Sequence, residues 1–304
     1  MKKKVLIISG GISKERLISL DTGNQVFKEL KKNGYRVKIS EPDNYLEKNI
    51  KIFKPNVIFN ALHGQFGEDG YIQTILDRFK IPYTHSSAIA SSIAMDKEIS
   101  KKLFIKNKIK TPKFFTYSYD ITKSNLIKKI NKNLRFPVVI KPLNEGSSVN
   151  VYISSKKTLD KILYKLKVYK KVLIEEFVGG REIQVAIMGD KKLGAIELKP
   201  KRKFYDYKAK YDSKSKTQHI IPVDLPKSKF DKVMDIAFKA HKIIGCRGVT
   251  RSDFKFFNGN FYLLELNTQP GMTKLSLVPE IALYRGINFL KLIEWMLKDA
   301  SKKK

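Results

Sequence analysis

The segment from 251 to 273, RSDFKFFNGNFYLLELNTQPGMT, constrains the fold more than any other stretch of the chain. Two apolar-rich runs flank Asn258-Gly259-Asn260, the composition of a tight hairpin turn, and successive side chains in each run must face opposite sides of a sheet. With a three-residue loop, Phe257 faces Phe261, Asp253 lies opposite Glu265, and Arg251 lies opposite Asn267. Phe254, Phe256, Tyr262, Leu264 and Leu266 then share the other face. A two-residue loop would set Asp253 beside Leu264 and Glu265 beside Phe254. That slip mixes charge into the apolar face, so the pattern selects the first register. One face then carries two carboxylates, a carboxamide and an arginine. Asp253, Glu265 and Asn267 offer oxygen ligands with room for water and phosphate oxygens, which suits magnesium better than zinc or calcium. A polar, solvated edge strand would read the same way from the second run alone.

Length and composition set outer bounds. At 304 residues the chain can bury a sizeable core, and two or three lobes are expected. A single cysteine, Cys246, excludes a disulfide framework, fits a reducing compartment, and reads as a small buried hydrophobe. The apolar run after the N-terminal lysines is too short for a signal sequence, and no run reaches the length of a membrane span, so a cytoplasmic protein with no membrane partner is expected. The formal charge of +32 invites a nucleic-acid hypothesis. The excess, however, is lysine spread along the chain, and arginine, which reads bases and phosphates bidentately, is scarce. Weak, salt-sensitive binding to polyanions follows, and specific nucleic-acid recognition does not.

Residues 4–9 form a short apolar run ending in Gly-Gly, the pattern of a buried parallel strand. Residues 13–33 carry helical spacing and close on Asn33-Gly34. Further strands at 35–40 and 56–60 imply a parallel α/β domain over 1–95, followed by a polar-rich helix from 95 to about 108. From Phe136 the pattern turns to hairpins: FPVVIKP, VNVYIS, a helix over 159–167, then KVLIEEFV, a Gly179-Gly180 turn and REIQVAIM. This reads as a small α+β lobe over 96–180. A C-terminal α+β domain over 181–304 contains LGAIEL, a polar Lys/Tyr loop, a helix near 228–244, the hairpin above and a last helix over 287–297.

Several polar clusters join the hairpin. In KPLNEGSSVNV, Lys141 ends a strand and a loop of small residues follows, where backbone N–H groups can approach phosphate oxygens; a plain β-turn would look similar. LIEEFVGGRE places acidic groups between two strands, as partners of a ribose or adenine or as a solvated turn. SGGISKER puts Glu15 in the first helical turn after a Gly-Gly loop, either to meet an ammonium group or to complement the helix dipole. ALHGQFGEDG puts His63 at the C-terminal end of a strand, the usual binding edge of a parallel sheet, where a structural histidine is equally compatible.

Taken in order, GGISKERLISLDTG, ALHGQFGEDG, MDK, IKPLNEGSSV, FYDYKAKY, RSDF and ELNTQPGMT resemble the D-alanine–D-alanine ligase family of the ATP-grasp superfamily over nearly the whole chain. The resemblance implies an ATP-grasp fold with a Rossmann-like N-terminal domain. It also implies a cytoplasmic enzyme that joins two D-alanines for peptidoglycan precursors, with ATP and two magnesium ions, manganese as a substitute, and a homodimer. By motif, Asp253, Glu265 and Asn267 correspond to metal ligands. Lys97, Lys141, Glu145, Ser147 and Ser148 correspond to nucleotide-phosphate contacts, and Glu175, Glu176, Phe177, Val178 and Glu182 to the adenosine-binding strand and turn. Lys210 corresponds to a contact of the transferred phosphate.

The same resemblance sets Glu15 on the ammonium of the first D-alanine, His63 near its carboxylate, and Ser276 and Leu277 beside the second D-alanine. Arg251 and the backbone N–H of Gly271 correspond to an oxyanion site, and Glu15, Ser147 and Tyr211 to a hydrogen-bonded set closing a loop over the reactants. The loop KPKRKFYDYKAKYDSKSK has the length and composition of a lid. Two departures stand out: Asn150 follows GSSV where glycine is common, and YTHSS, with His85 and Ser87, replaces the usual YTGSG. Neither removes a group with a chemical role. Ligases making D-alanyl-D-lactate or D-alanyl-D-serine share the fold; Tyr211, where lactate enzymes carry histidine, argues against the first and leaves the second open. A basic nucleic-acid binder would not account for Asp253, Glu265 and Asn267 on one face, and a degenerate ATP-grasp scaffold should have lost a charged site residue.

Overall fold

A computed structural model of the chain describes residues 3–200, 217–273 and 276–302; Lys210 and Tyr211, with most of the expected lid loop, lie outside the described residues. Three sheets organise it. The first is parallel, with β1 (Lys4–Ile8) between β2 (Arg36–Ser40) and β3 (Val57–Asn60). β1 and β3 are almost wholly apolar because helices cover both faces of such a sheet. The connecting helices are α1 (Arg16–Lys32) and α2 (Leu46–Phe53). α3 (Tyr71–Arg78) and α4 (Ala88–Met95) follow.

The helix expected from 95 to 108 begins two residues later than its first expected position, because Met95 ends α4. Asp96 caps α5 (Lys97–Lys106), its carboxylate accepting from the backbone N–H of Glu98 and Ile99. That cap separates α5 from α4 and leaves Lys97 at the first helical position. The second sheet orders β4 (Phe114–Tyr117), β7 (Val172–Glu176), β5 (Val138–Pro142) and β6 (Tyr152–Ser154), backed by α6 (Lys123–Asn133) and α7 (Leu159–Leu166). A short 3-10 turn, Lys167–Tyr169, leads from α7 into β7.

The third sheet runs β10 (Gln218–Ile220), β9 (Lys191–Lys199), β8 (Arg181–Met188), β11 (Val249–Phe257) and β12 (Asn260–Asn267). α8 (Lys227–Ile244) packs on it with Phe254, Phe261 and Leu263 fully or almost fully buried. Cys246 is partly buried at the margin of that core. The Gly179-Gly180 segment is therefore not a hairpin turn. It carries the chain from the second sheet to the third, because β7 pairs with β4 and β5 while β8 pairs with β9 and β11.

The last helices, α9 (Leu277–Tyr284) and α10 (Phe289–Ala300), tie the third sheet to the first. Val5, Ile7, Val26 and Phe59 belong to the same apolar cluster as Met188, Ile196, Ile281 and Ile293. Fully burying each such side chain contributes about 1.5–3 kcal/mol, so this shared core holds the two sheets in a fixed relation. Among the described residues no helix is long and apolar enough to cross a membrane.

Candidate active site

The β11–β12 hairpin keeps the expected pairing and reaches it by a different route. Its turn has two residues, Asn258 and Gly259, both left-handed at φ 47° and 72°. Asparagine and glycine tolerate that conformation, and the turn twists the strands correctly. Phe257 accordingly pairs with Asn260, not Phe261, and Phe256 stacks on Phe261 with ring centroids 4.5 Å apart. Left uncorrected, this register would put charge into the core. A one-residue bulge at Leu264, between the Asp253–Glu265 and Phe254–Leu263 pairs, restores it. Asp253 then faces Glu265, and Arg251 faces Asn267.

The bulge also corrects the apolar face. Phe254, Phe256, Phe261, Leu263 and Leu266 belong to the core. Tyr262 pairs with Lys255, and Leu264 lines the cleft next to Glu265.

The Arg251 guanidinium grips Asp253, Nε to Oδ1 at 2.7 Å and Nη2 to Oδ2 at 3.0 Å, and Nε also donates to Gln184 Oε1 at 3.0 Å. Asn267 Oδ1 accepts from the backbone N–H of Gln269 at 2.7 Å. The donor set of Asp253, Glu265 and Asn267 is oxygen only, which fits magnesium or manganese and not a sulfur- or imidazole-seeking metal. Among the described residues no three acidic, histidine or cysteine side chains are grouped so as to hold a metal ion by themselves. The carboxamide oxygen of Asn267 adds a third oxygen to the two carboxylates on this face.

Lysines approach this face from the second sheet and from α5. Lys97 Nζ donates to the Glu145 carbonyl at 2.6 Å and lies 3.7 Å from Glu265 Oε2. Lys141 Nζ meets Glu175 Oε1 at 2.5 Å, and Lys101 Nζ lies 2.9 Å from Glu175 Oε2. Lys101 is 0% exposed and Glu175 3%. Burial pushes Lys101 down to about 8, with the positive charge of Lys141 adding to it and Glu175 opposing. Burial alone would raise Glu175, yet the two lysines together hold it below the usual carboxylate range. The asymmetry has a simple cause: Glu175 has two counter-charges and Lys101 shares one.

A cavity of about 80 Å³ between the second and third sheets is lined by Lys141, Ser148, Glu175, Glu176, Phe177 and Val178, among others. That volume is below the several hundred Å³ typical of a small-molecule site. Glu182 faces this cavity but pairs with Lys255 at 3.0 Å. The Glu145 carboxylate turns to Lys14 and Tyr169, at 2.8 and 2.9 Å.

A second cavity, about 70 Å³, adjoins it and brings together Glu15, His63, Ser147, Arg251, Glu265, Asn267 and Gly271. Glu15 sits at the N-cap position of α1 and makes no side-chain capping hydrogen bond. It is 5% exposed and accepts a short hydrogen bond from Ser147 Oγ. Both ring nitrogens of His63 are engaged, Nδ1 with Glu68 Oε1 at 3.0 Å and Nε2 with Thr22 Oγ1 at 3.1 Å. At Gly271 a Cβ would lie 2.8 Å from Ser276 Oγ and 3.9 Å from His63 Cε1, so any side chain there would push into the cavity wall. Ser276 Oγ accepts from the Thr273 backbone N–H at 2.9 Å, which folds the chain back beside Gly271. The Leu277 side chain is packed in the shared apolar core. A larger cavity, about 680 Å³, lies at the C-terminal edge of the first sheet and shares His63 with the second cavity.

Sequence reasoning passed over Glu68, Lys101, Gln269 and Asn60. Gln269 Oε1 accepts from Asn60 Nδ2 at 2.8 Å and Nε2 donates to the Leu62 carbonyl, which ties the strand after the metal face to the end of β3. Gln269 lies inside the ELNTQPGMT stretch and Asn60 immediately before ALHGQFGEDG, but nothing in their spacing marks them as a pair. His85 adopts φ 71°, the conformation that explains a usual glycine there, and burial pushes its imidazole down to about 3.

Solved structures share this fold. A crystal structure of D-alanine–D-alanine ligase from Bacillus anthracis matches at TM-score 0.86 and 33% identity, covering 98% of this chain and 97% of that one. Another from the same organism, complexed with ATP, matches at TM-score 0.84 and 29% identity over the same shares. Two antiparallel sheets closing on a cleft of lysines and carboxylates, beside a parallel-sheet domain, are the ATP-grasp fold. Residues 103–298 match the family model described as D-ala D-ala ligase C-terminus. The D-alanine–D-alanine ligase of Pelagibacter ubique (strain HTCC1062) is 72% identical over 301 residues, 99% of each chain. The chain belongs to the D-alanine–D-alanine ligase family.

Proposed function

We propose that this chain joins two molecules of D-alanine into D-alanyl-D-alanine with ATP, forming an acyl phosphate on the way, and so supplies peptidoglycan precursors in the cytoplasm. The observation that carries the reading is a cleft made of two adjoining cavities that share Lys97, Glu145 and Glu265. Its floor is the Asp253–Glu265 pair with Asn267, its nucleotide side holds Lys97 and Lys141, and its far end holds Glu15 and His63. Family membership and the ATP-complexed relative support the same conclusion.

In this reading the first D-alanine binds by its ammonium to Glu15, and His63, fixed by Glu68 and Thr22, lies near its carboxylate. That carboxylate attacks the γ-phosphorus, breaking the bond to ADP, while Lys97 and Lys141 disperse the developing charge. The second D-alanine, beside Ser276 and the Leu277 backbone, attacks the acyl carbon with its amine. Arg251, its plane set by Asp253 and Gln184, and the Gly271 N–H stabilise the tetrahedral oxyanion. Phosphate leaves and the amine loses its proton. Glu176, Phe177, Val178 and Glu182 border the adenosine, and the backbone at Ser147 and Ser148 cradles phosphate. Lys210 on the transferred phosphate and Tyr211 in the lid complete the set. Two magnesium ions, or manganese, held by Asp253, Glu265 and Asn267 would neutralise phosphate charge when bound. We further take 1–95, 96–180 and 181–304 as the three lobes and the working unit as a homodimer.

The test is purified protein with ATP, magnesium and D-alanine. D-alanine-dependent ADP release with recovery of the dipeptide is expected, and absence of that dependence would refute the proposal. D-serine and D-lactate as second substrates, at several pH values, define specificity, and light scattering reads the oligomer. Glu265→Gln should reduce turnover at least about a hundredfold with little change in folding stability; retained turnover would remove Glu265 from the metal site.

A further inference from the structure

The loop 143–150 contains three left-handed residues that are not glycine, Ser147, Ser148 and Asn150, at φ 48°, 59° and 55°. Such a run is unfavourable by itself and persists only when its surroundings over-determine it. The surroundings converge on one hydroxyl. Tyr169 OH donates to Glu145 Oε1 at 2.9 Å and accepts from Asn150 Nδ2 at 2.6 Å and from Lys14 Nζ at 3.3 Å. Lys14 also reaches Glu145 Oε1 at 2.8 Å, and Asn150 Oδ1 accepts from Tyr152 OH at 3.2 Å. The loop is thus pinned at both ends, Glu145 and Asn150, to a single side chain that stands on another element. The carbonyl of Glu145 is the acceptor for Lys97, and Lys14 immediately precedes Glu15, the partner of Ser147.

We infer that Tyr169, with Asn150 and Lys14, is a positioning device for this loop: it holds the 145–150 backbone in the conformation that receives nucleotide phosphate, and it does so across the junction between the first and second sheets. Asn150 is then an active member. Glycine would satisfy the left-handed backbone but would leave Tyr169 without its bond to the loop's far end, so the hydroxyl would hold one end only. The inference rests on the nucleotide reading of the cleft and goes beyond it, because none of these three side chains lines either cavity between the sheets.

The experiment compares Tyr169→Phe, Asn150→Gly and Lys14→Met with the parent, measuring KM for ATP, KM for D-alanine, kcat, Tm and the calorimetric Kd of a non-hydrolysable ATP analogue with magnesium. Each single variant should raise the analogue Kd and KM for ATP about fivefold, with kcat, KM for D-alanine and Tm little changed. Tyr169→Phe combined with Asn150→Gly should be no worse than Tyr169→Phe alone, since both remove the same anchor. Unchanged Kd in all three variants, or equal losses in every parameter together with Tm, would overturn the inference. Failure of the parent to bind the analogue at all would instead refute the nucleotide reading on which it rests.

Discussion

Two lysine–glutamate clusters border the same cleft and obey different energetics. Lys101, Glu175 and Lys141 form a triad almost wholly removed from water, whereas Lys14 at the Glu145 cluster is 60% exposed at its side chain. In the interior each charge is tolerable only while the others stay, because an uncompensated buried ion has lost its hydration. At the surface, water and salt stand in for a lost partner, so the pair is weak and exchangeable. The buried triad is suited to be a fixed wall beneath the nucleotide. The more exposed cluster is suited to hold the 145–150 loop in place through contacts that are individually weak.

The largest effect expected from this contrast is on Glu175, the one counter-charge of two buried lysines. Glu175→Gln should cost about 3–5 kcal/mol of unfolding stability in urea, with Lys101→Met/Glu175→Gln recovering part of it. A loss below about 1 kcal/mol would mean the triad behaves like a surface pair and would break the comparison. Next is pH. Lys101 titrates near 8 when folded and near 10.5 when unfolded, so between those values the unfolded chain binds more protons. Its contribution to stability therefore rises with pH across that window, by at most about 1.4 kcal/mol per unit. Lys14 is shifted upward by its hydrogen bond to Glu145, so its contribution is complete below 10.5 and is lost above it. Parent and Lys101→Met stability curves should diverge between pH 8 and 10; parallel curves would remove the burial argument. The smallest effect is Lys14→Met, within about 1 kcal/mol in stability and smaller still in 1 M salt, where surface pairs are screened.

The hairpin shows how far local pattern reaches. Alternation in residues 251–267 identified the polar face, and the cost of burying Asp253 or Glu265 selected their pairing. The turn length inferred from that pairing was wrong. Asn258-Gly259 is the two-residue signal, and the bulge at Leu264 reconciles it with the register. A bulge needs no characteristic residue, so leucine at that point carries no warning. The parallel sheet, the hairpin after β5 and the helix end at Asn33 rest on short-range signals of the same kind. By contrast, the crossing of 179–180 between sheets looked like a turn, because two glycines between strands do not say which sheet each strand joins.

Roles for Glu15, His63 and Ser147 came from resemblance, since no periodicity brings residues 132 positions apart into contact. The sequence by itself determined what is local: which faces are apolar, where chains reverse, and that Asp253, Glu265 and Asn267 share one side of a strand pair. Repeat spacing and turn chemistry act over a few residues and survive without the rest of the molecule. Only the tertiary structure decided that Glu175 lies between two lysines, that Gln269 meets Asn60, and that Tyr169 gathers Lys14, Glu145 and Asn150 on one hydroxyl. Those outcomes depend on burial and on distances between remote segments. An exposed glutamate and a buried one are the same letter until packing removes the water.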